Sequence, residues 1–415
     1  MGKPISASLY EAPLNWEEPR IMHIDLNSCF AIIEQQANPL IRNKPVVVAP
    51  YNKPTDIVIA PSYEAKALDI RLGTHVHEAR QLGAVVLMPD PAKYRVARER
   101  FEKILLDYTS SIVPKSVDEF IVDWHGSPVL RAGRDLKEVG LEIKQRIKED
   151  LGEYVTVNVG LGPNRFLAKT AAGLHKPDGL DVISATNLRS TLKELKLTDL
   201  PGINVRYEAR LNINGIFSPL QFLDAGPEFL IKRVFKSKVG GDWYLRLRGW
   251  EVDDVDWGRK SFGHQYAIVG KTDSREYLSK LLMKLCEKTG RRLRAGGYSA
   301  HGVHLWLAYQ NKQHWHQGRK TRSRLYATQE IYLAAQRLLN QAPLPAPASH
   351  IGVSVFNLEL LATEQLGLFD EEQATKRALA DAADKVNDRY GEFTLVPALM
   401  ANMENIILDR IAFGK

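Results

Sequence analysis

Cysteine is almost absent from this chain: Cys29 and Cys286 are the only two in 415 residues. Two thiols build no disulfide framework, and without a Cys-x-x-Cys pair there is no thiolate zinc site. A reducing, cytoplasmic setting is the expectation. No apolar run approaches the roughly 20 residues that span a bilayer, so no membrane association is expected. The first twenty residues carry Glu11, Glu17 and Glu18 where a secretory leader has an apolar block. Charge of one sign does not dominate either, at +7 net with 25% charged residues. A hydrophobic fraction of 44% excludes wholesale disorder. The length suits about two to four domains at the usual size.

What is present is unevenly spread. Residues 262–360 hold 14 Lys and Arg against 5 Asp and Glu, whereas residues 361–415 hold 6 against 10. A basic block inside a near-neutral chain is the footprint of a module that binds a polyanion, or else a solvated charged surface.

Periodicity divides the chain further. Arg20–Ile24 reads as a buried strand ending at Asp25, with further strands at Val46–Val48, Asp56–Ala60, Val117–Asp123 and Tyr154–Gly160. Helical spacing marks Lys93–Ser110, Leu136–Leu151 and Asn164–Leu174, and Pro61-Ser62 opens another helix. This mixture predicts an α/β (α+β) core up to about residue 185. Leu188–Arg248 reads as short helices broken by Pro201-Gly202, Asn214-Gly215 and Gly240-Gly241, and 251–261 as a polar linker. The basic block reads β-α-β-β-α-β, with a short strand near Trp315, and residues 371–390 read as a helix.

Two segments carry the chemistry. His23-Ile-Asp25-Leu-Asn-Ser-Cys-Phe30 and Ser116-Val-Asp118-Glu119-Phe-Ile-Val-Asp123 each place acids at the end of, or within, an apolar strand. A carboxylate there is costly unless it is paired or binds a cation. Brought together, Asp25, Asp118 and Glu119 supply hard oxygen ligands for Mg²⁺, two of which activate a hydroxyl and stabilise a leaving phosphate oxygen. Neighbouring strand residues face opposite ways, so Asp118 and Glu119 share a site only at a hairpin turn or bulge. The alternative is that both are solvating charges on an edge strand.

In this order and spacing the two segments resemble the Y-family translesion DNA polymerases, closest to the bacterial DNA polymerase IV (DinB-like) branch. Ala60-Pro-Ser-Tyr63-Glu64-Ala-Lys66 through Gly73 is similar to the family's fingers motif. Val157–Lys169 with His175-Lys176-Pro177-Asp178-Gly179 is similar to its palm signature. Leu200-Pro201-Gly202-Ile203 stands where the thumb's helix-hairpin-helix turn falls, and Lys260–Gly263 where the little finger begins. The match is collinear over roughly 21–360.

The resemblance implies a right-hand polymerase: an N-terminal extension (1–20), palm (21–34 and 89–185), fingers (35–88), helical thumb (186–250), linker (251–261), little finger (262–360) and tail (361–415). It implies a template-directed, low-processivity polymerase that copies damaged DNA. Asp25, Asp118 and Glu119, with the Leu26 carbonyl, would hold two Mg²⁺, Mn²⁺ being a substitute. Phe30 would be the steric gate against a ribose 2′-hydroxyl, or simply core. Tyr63, Lys66 and Lys176 would meet the triphosphate of a deoxynucleotide. Lys66 departs from the family's usual arginine and offers a point charge in place of a fork. Asn27 replaces a common aspartate, as in the UmuC-like branch. Asn204 replaces a usual glycine, and as an asparagine tolerates positive φ.

For primer–template DNA the expected contacts are the amide of Gly202 and the run Arg319, Lys320, Arg322 and Arg324, placed just before a helix so that cations and backbone amides converge. Lys271, Arg291, Arg292, Arg294 and Lys312 extend the basic set. His314-Trp-His316 reads as surface strand, with no obvious third metal ligand. Gln365-Leu366-Gly-Leu368-Phe369 resembles the sliding-clamp-binding pentapeptide. A monomer is expected. Two rivals stand beside this reading. A catalytically silent Y-family paralogue acting as a repair adaptor would tend to have lost the carboxylates, which are intact. A basic nucleic-acid-binding protein without nucleotide chemistry would not need Asp25, Asp118, Glu119, Tyr63 and Lys176 together.

Overall fold

The computed structural model of the chain describes residues 12–255, 258–361, 371–403 and 406–407. They divide into two compact units at Val255. The first unit contains β1 (Ile21–Leu26), β2 (Val46–Val48), β3 (Ala60–Pro61), β4 (Val85–Leu87), β5 (Ile112–Pro114), β6 (Glu119–Asp123), β7 (Val157–Gly162) and β8 (Leu180–Val182).

β1 is the central strand of a five-stranded sheet of order β5-β6-β1-β7-β8, antiparallel to both neighbours. Five of its six residues are buried, as an almost uninterrupted apolar run demands of a strand covered on both faces. Met22, Ile24 and Leu26 point into the main core of this unit, where the helices Pro91–Leu106 and Leu136–Leu151 contribute Phe101, Ile104, Val139, Ile143 and Ile147. The opposite face carries Ile21, His23 and Asp25. The helix Arg165–Leu174 packs beside it because Gly160 and Gly162 of β7 have no side chains; a Cβ at either would run into the backbone of Ala168 or Ala172.

A second, small sheet of order β3-β2-β4 has its own core of Val47, Val58, Ala65, Ile70 and Ala79. The strand expected over Asp56–Ala60 is largely absent. Ile57 makes a single bridge to His75, and pairing begins only at Ala60, because this stretch turns back across β2 for two residues. Short helices between Leu188 and Leu247 form a third cluster around Leu192, Leu211, Phe222 and Trp243.

Two expectations change here. From Ala12 the N-terminal stretch is part of this helical cluster: Ala12 is buried in it, Trp250 Nε1 donates to the Pro13 carbonyl (2.8 Å), and the Asn15 amide donates to Arg248 (2.8 Å). The stretch read as a linker is also held. Asp253 accepts from Arg246 at 2.5 and 2.8 Å, Asp254 pairs with Arg165, and Glu251 accepts the Arg165 amide at 3.0 Å. Its polar residues are ion-paired, which a lack of periodicity does not reveal.

The second unit contains β9 (Ser261–Thr272), β10 (Tyr298–Tyr309), β11 (His314–Leu325) and β12 (Ala348–Leu360), all antiparallel, in the order β11-β10-β12-β9. With the helices Arg275–Ala295 and Thr328–Gln341 the chain order is β-α-β-β-α-β, as the periodicity indicates. Val303, Leu305 and Leu307 face the helices, joining Leu281, Leu285, Leu338 and Val353 in the core. His304 and Trp306 alternate onto the other face.

The short strand near Trp315 is twelve residues long and swallows Arg319–Arg324. Those cations lie along an edge strand, and the following helix opens only at Thr328, so no helix amides converge on them. The helix Glu371–Tyr390 is present where expected. It is docked: Arg294, nearly fully buried, grips Asp384 at 2.6 and 2.9 Å, and Arg291 reaches Asp388 at 2.8 Å. Lys284 and Lys288 are buried as well, donating to the Met403 and Ile407 carbonyls at 2.5 and 3.1 Å.

Candidate active site

The row that matters crosses three strands. Asp25 on β1 is directly opposite Glu119 on β6 and Asn158 on β7, so all three occupy the same face. Asp118 precedes the first residue of β6 and sits in the hairpin turn from β5, closed by the Lys115 amide donating to Glu119 (2.9 Å). The pleat therefore does not force it to the face opposite Glu119. Its carbonyl accepts the Leu26 amide at 2.9 Å, and its carboxylate accepts from Ser116 Oγ at 2.5 Å. The negative charges of both Glu119 and Asp118 are felt at Asp25.

Lysines meet these acids. Lys176 donates to Asp25, and Lys169 donates to both oxygens of Glu119 at 2.8 Å. Burial raises the Asp25 carboxyl above its ordinary range, and Lys176 only partly offsets this. Burial also pushes Glu119 up, but the hydrogen bonds and charge of Lys169 outweigh it and leave Glu119 low. Beneath them His23 is 2% exposed, and burial lowers its imidazole to about 4.

The turn after β1 gathers the next groups. The buried Asn27 donates to Thr156 Oγ1 (3.1 Å) and accepts from the Tyr63 hydroxyl (3.3 Å). Ser28 adopts φ 48° and accepts from Lys66 Nζ at 2.8 Å. Tyr63 and Lys66 share the one-turn helix Tyr63–Ala67, capped by Ser62 Oγ, and the Lys66 ammonium lies 4.2 Å from the Tyr63 ring centroid. Burial, then the Asp25 charge, pushes the Tyr63 phenol up to about 12. Burial, then Lys176, lowers the Lys66 ammonium. Phe30 opens the helix Cys29–Ala37 and stacks on Tyr94, with centroids 4.5 Å apart. Tyr94 donates to Glu34 (2.9 Å), which also accepts from Lys93 (2.6 Å).

The structure thus brings Asp25, Leu26, Asp118, Glu119, Phe30, Tyr63, Lys66 and Lys176 into one neighbourhood of the first unit. Gly202 stands apart in the helical cluster, at φ 91° beside Trp243. Asn204 has φ −97°, not the positive value its glycine-like position suggests. It caps the next helix instead, its side chain accepting the Arg206 and Tyr207 amides at 3.0 Å. Arg319, Lys320, Arg322 and Arg324 belong to the second unit, where Arg324 is paired with Glu359. Gln365, Leu366, Leu368 and Phe369 lie outside the described residues.

Lys169 and Asn158 were not singled out by sequence reasoning. The only charged residue after Arg165 in the Arg165–Leu174 helix was the available signal for the first. The polar residue within β7 was the signal for the second.

Among the described residues no three His, Cys, Asp or Glu side chains already converge as metal ligands. Asp25 and Glu119 are each turned to an ammonium. The donors nonetheless suit hard cations: carboxylates across one register row, an Asp25 carboxyl raised by burial that Lys176 only partly offsets, and a buried Asn158 Oδ1 without a hydrogen-bond donor beside it.

The chain resembles known proteins over most of its length. Two models of the impB/mucB/samB family match, the main one over residues 24–173 and the C-terminal domain over 259–368. The chain is 32% identical over 402 residues to DNA polymerase IV of Pelotomaculum thermopropionicum, covering 94% of this chain and 97% of that protein. It is 34% identical over 388 residues to DNA polymerase IV of Moorella thermoacetica, covering 90% and 94%. A solved Y-family DNA polymerase chimera of Dbh and Dpo4 superposes with TM-score 0.72 at 25% identity, covering 82% of this chain and 99% of that one. DinB from Sulfolobus solfataricus shares the fold with TM-score 0.53 at 24% identity, over 82% and 99%.

Fold and relatives together define a right-hand DNA polymerase. The chain belongs to the impB/mucB/samB family, the Y-family of DNA-directed DNA polymerases.

Proposed function

We propose that this chain extends a primer 3′ end on a DNA template, copies damaged DNA with low processivity, and does so with two Mg²⁺, Mn²⁺ being a substitute. The observation that carries the reading is the Glu119–Asp25 row with Asp118 hydrogen-bonded across to Leu26. Asp25, the Leu26 carbonyl, Asp118 and Glu119 would hold the two Mg²⁺. When bound, the divalent pair stabilises charge on the attacking and leaving oxygens.

The remaining work falls to residues of the chain. Lys176 and Lys66, which rest on Asp25 and Ser28, transfer their hydrogen bonds to the incoming triphosphate. Tyr63 adds a phenolic donor that stays protonated at neutral pH. Lys169 holds Glu119 ionised and oriented. Phe30, propped by Tyr94, sits under the sugar and leaves no room for a 2′-hydroxyl.

Residues 21–34 and 89–185 act as palm, 35–88 as fingers, 186–250 as thumb and 262–360 as little finger. The Gly202 amide and the edge-strand cations Arg319, Lys320 and Arg322 meet DNA phosphates without reading sequence. Gln365, Leu366, Leu368 and Phe369 recruit the chain to a sliding clamp. The protein works as a cytoplasmic monomer, and no helix among the described residues is long and apolar enough to cross a membrane.

Primer extension with Mg²⁺ and each dNTP or rNTP tests the reading. Template-directed incorporation of dNTPs over rNTPs supports it. A purified protein that binds primer–template yet incorporates nothing is instead the silent adaptor.

A further inference from the structure

The open face of the second unit's sheet is rich in histidine. On β10 and β11, Trp306 pairs with His316 and Ala308 with His314, so these residues share the face that carries His304. His304 is the diagonal neighbour of His316, and its Nε2 lies 3.3 Å from His316 Nδ1. Sequence alone separates His304 from His316 by twelve positions of strand and hairpin, so His314-Trp-His316 reads there as a pair without a further partner.

That distance has chemical meaning. Two imidazole nitrogens bound to one tetrahedral ion at about 2.0–2.1 Å stand about 3.3 Å apart. The two rings already hold that spacing as a hydrogen-bonded pair, with centroids 5.4 Å apart and planes at 42°, and an ion would exchange that hydrogen bond for two metal–nitrogen bonds. Both are on regular strands of an antiparallel ladder, which fixes their backbone separation. His314 lies parallel to His316 with centroids 6.4 Å apart, too distant to ligate the same ion as placed. Among the described residues, no third such ligand completes the set.

We propose that His304 Nε2 and His316 Nδ1 form a two-histidine site for a borderline divalent cation of the Zn²⁺ class, distinct from the carboxylate site. Imidazole ligands favour Zn²⁺, Ni²⁺ or Cu²⁺ over Mg²⁺, so excess Mg²⁺ does not displace the ion from this pair. Two protein ligands leave the remaining positions to water, so binding is modest and reversible. The ion adds two positive charges to a face whose next row holds Lys320 opposite Gly302.

The test is titration calorimetry of the full-length, tag-free protein with Zn²⁺ in excess Mg²⁺. Saturable binding of one Zn²⁺ is expected, weakened at least tenfold in His304→Gln and in His316→Gln. It should be unchanged in His175→Gln, an exposed histidine of the first unit. Circular dichroism on the same samples checks that the sheet is intact. Equal Zn²⁺ affinity in folded His304→Gln or His316→Gln, or no saturable binding below 1 mM Zn²⁺, overturns the site.

Discussion

Asp25 and Glu119 stand directly opposite each other on β1 and β6, yet their acidities move in opposite directions. The difference lies in their lysines. Lys169 gives Glu119 two hydrogen bonds, enough to outweigh burial, whereas burial at Asp25 outweighs Lys176. Burial therefore leaves Asp25 the less readily ionised of the two. Replacing Asp25 or Asp118 by alanine should lower primer extension by at least about 10³-fold, as losing the dominant electrostatic term does elsewhere. DNA affinity, measured by anisotropy, should change little. Retained extension in either variant removes the metal assignment.

His23 ties this face to the pH response of the fold. Its imidazole titrates at about 4 when folded against 6.5 ordinarily, so the unfolded chain takes the proton first. The stability from keeping it neutral is complete above pH 6.5 and is lost as pH falls toward 4. The total is about 3 kcal/mol at 1.36 kcal/mol per unit of pKa. Urea unfolding in EDTA from pH 7 to 4.5 should show the midpoint falling. His23→Gln should flatten that slope, and an unchanged slope would mean that other groups carry it.

Much of this was legible in the sequence where a local pattern and a buried face coincide. β1, the helix Leu136–Leu151 and the helix Glu371–Tyr390 follow from apolar runs and spacing, and the acids at strand ends announced a site. What one sequence does not encode locally is partnership. Nothing near Arg294 says that its partner is ninety residues on, and nothing in Glu251–Asp254 names Arg165 or Arg246. Asn204 was misread because a residue that tolerates positive φ is also a strong helix cap, and the cap won. Arg319–Arg324 was misread because its polarity hid a strand held only along one edge.

Phe30 tests the sugar gate. Its ring is fixed by the Tyr94 stack, and Tyr94 by the Glu34–Lys93 pair. Phe30→Ala should raise ribonucleotide incorporation relative to deoxyribonucleotide on the order of a hundredfold, the usual scale for a site that excludes one hydroxyl. Tyr94→Phe keeps the stack and removes only the hydroxyl. It should cost about 1 kcal/mol of stability with little change in sugar preference. Unchanged sugar selection in Phe30→Ala makes Phe30 a packing residue.

The clamp motif gives a prediction that is independent of the active site. Leu368→Ala with Phe369→Ala should leave basal extension unaltered and abolish stimulation by added sliding clamp, because apolar anchors dominate short-peptide recognition. Equal stimulation would move the contact elsewhere on the chain.

Arg294 separates a structural cation from a DNA-binding one. Charge counting placed it in the basic set of the second unit, but its guanidinium is spent on Asp384 and on the Tyr326 carbonyl at 3.0 Å. Removing one partner of a buried ion pair leaves the other desolvated and unpaired, at a cost of about 3–5 kcal/mol. Arg294→Ala should therefore lower the unfolding midpoint and expose the Glu371–Tyr390 helix to limited proteolysis. The slope of log affinity for DNA against log salt should stay the same, since no phosphate contact is lost. Lys320→Ala should do the opposite, reducing that slope by about one with the fold unaffected. A reduced salt slope in Arg294→Ala at full stability would return it to the DNA-binding set.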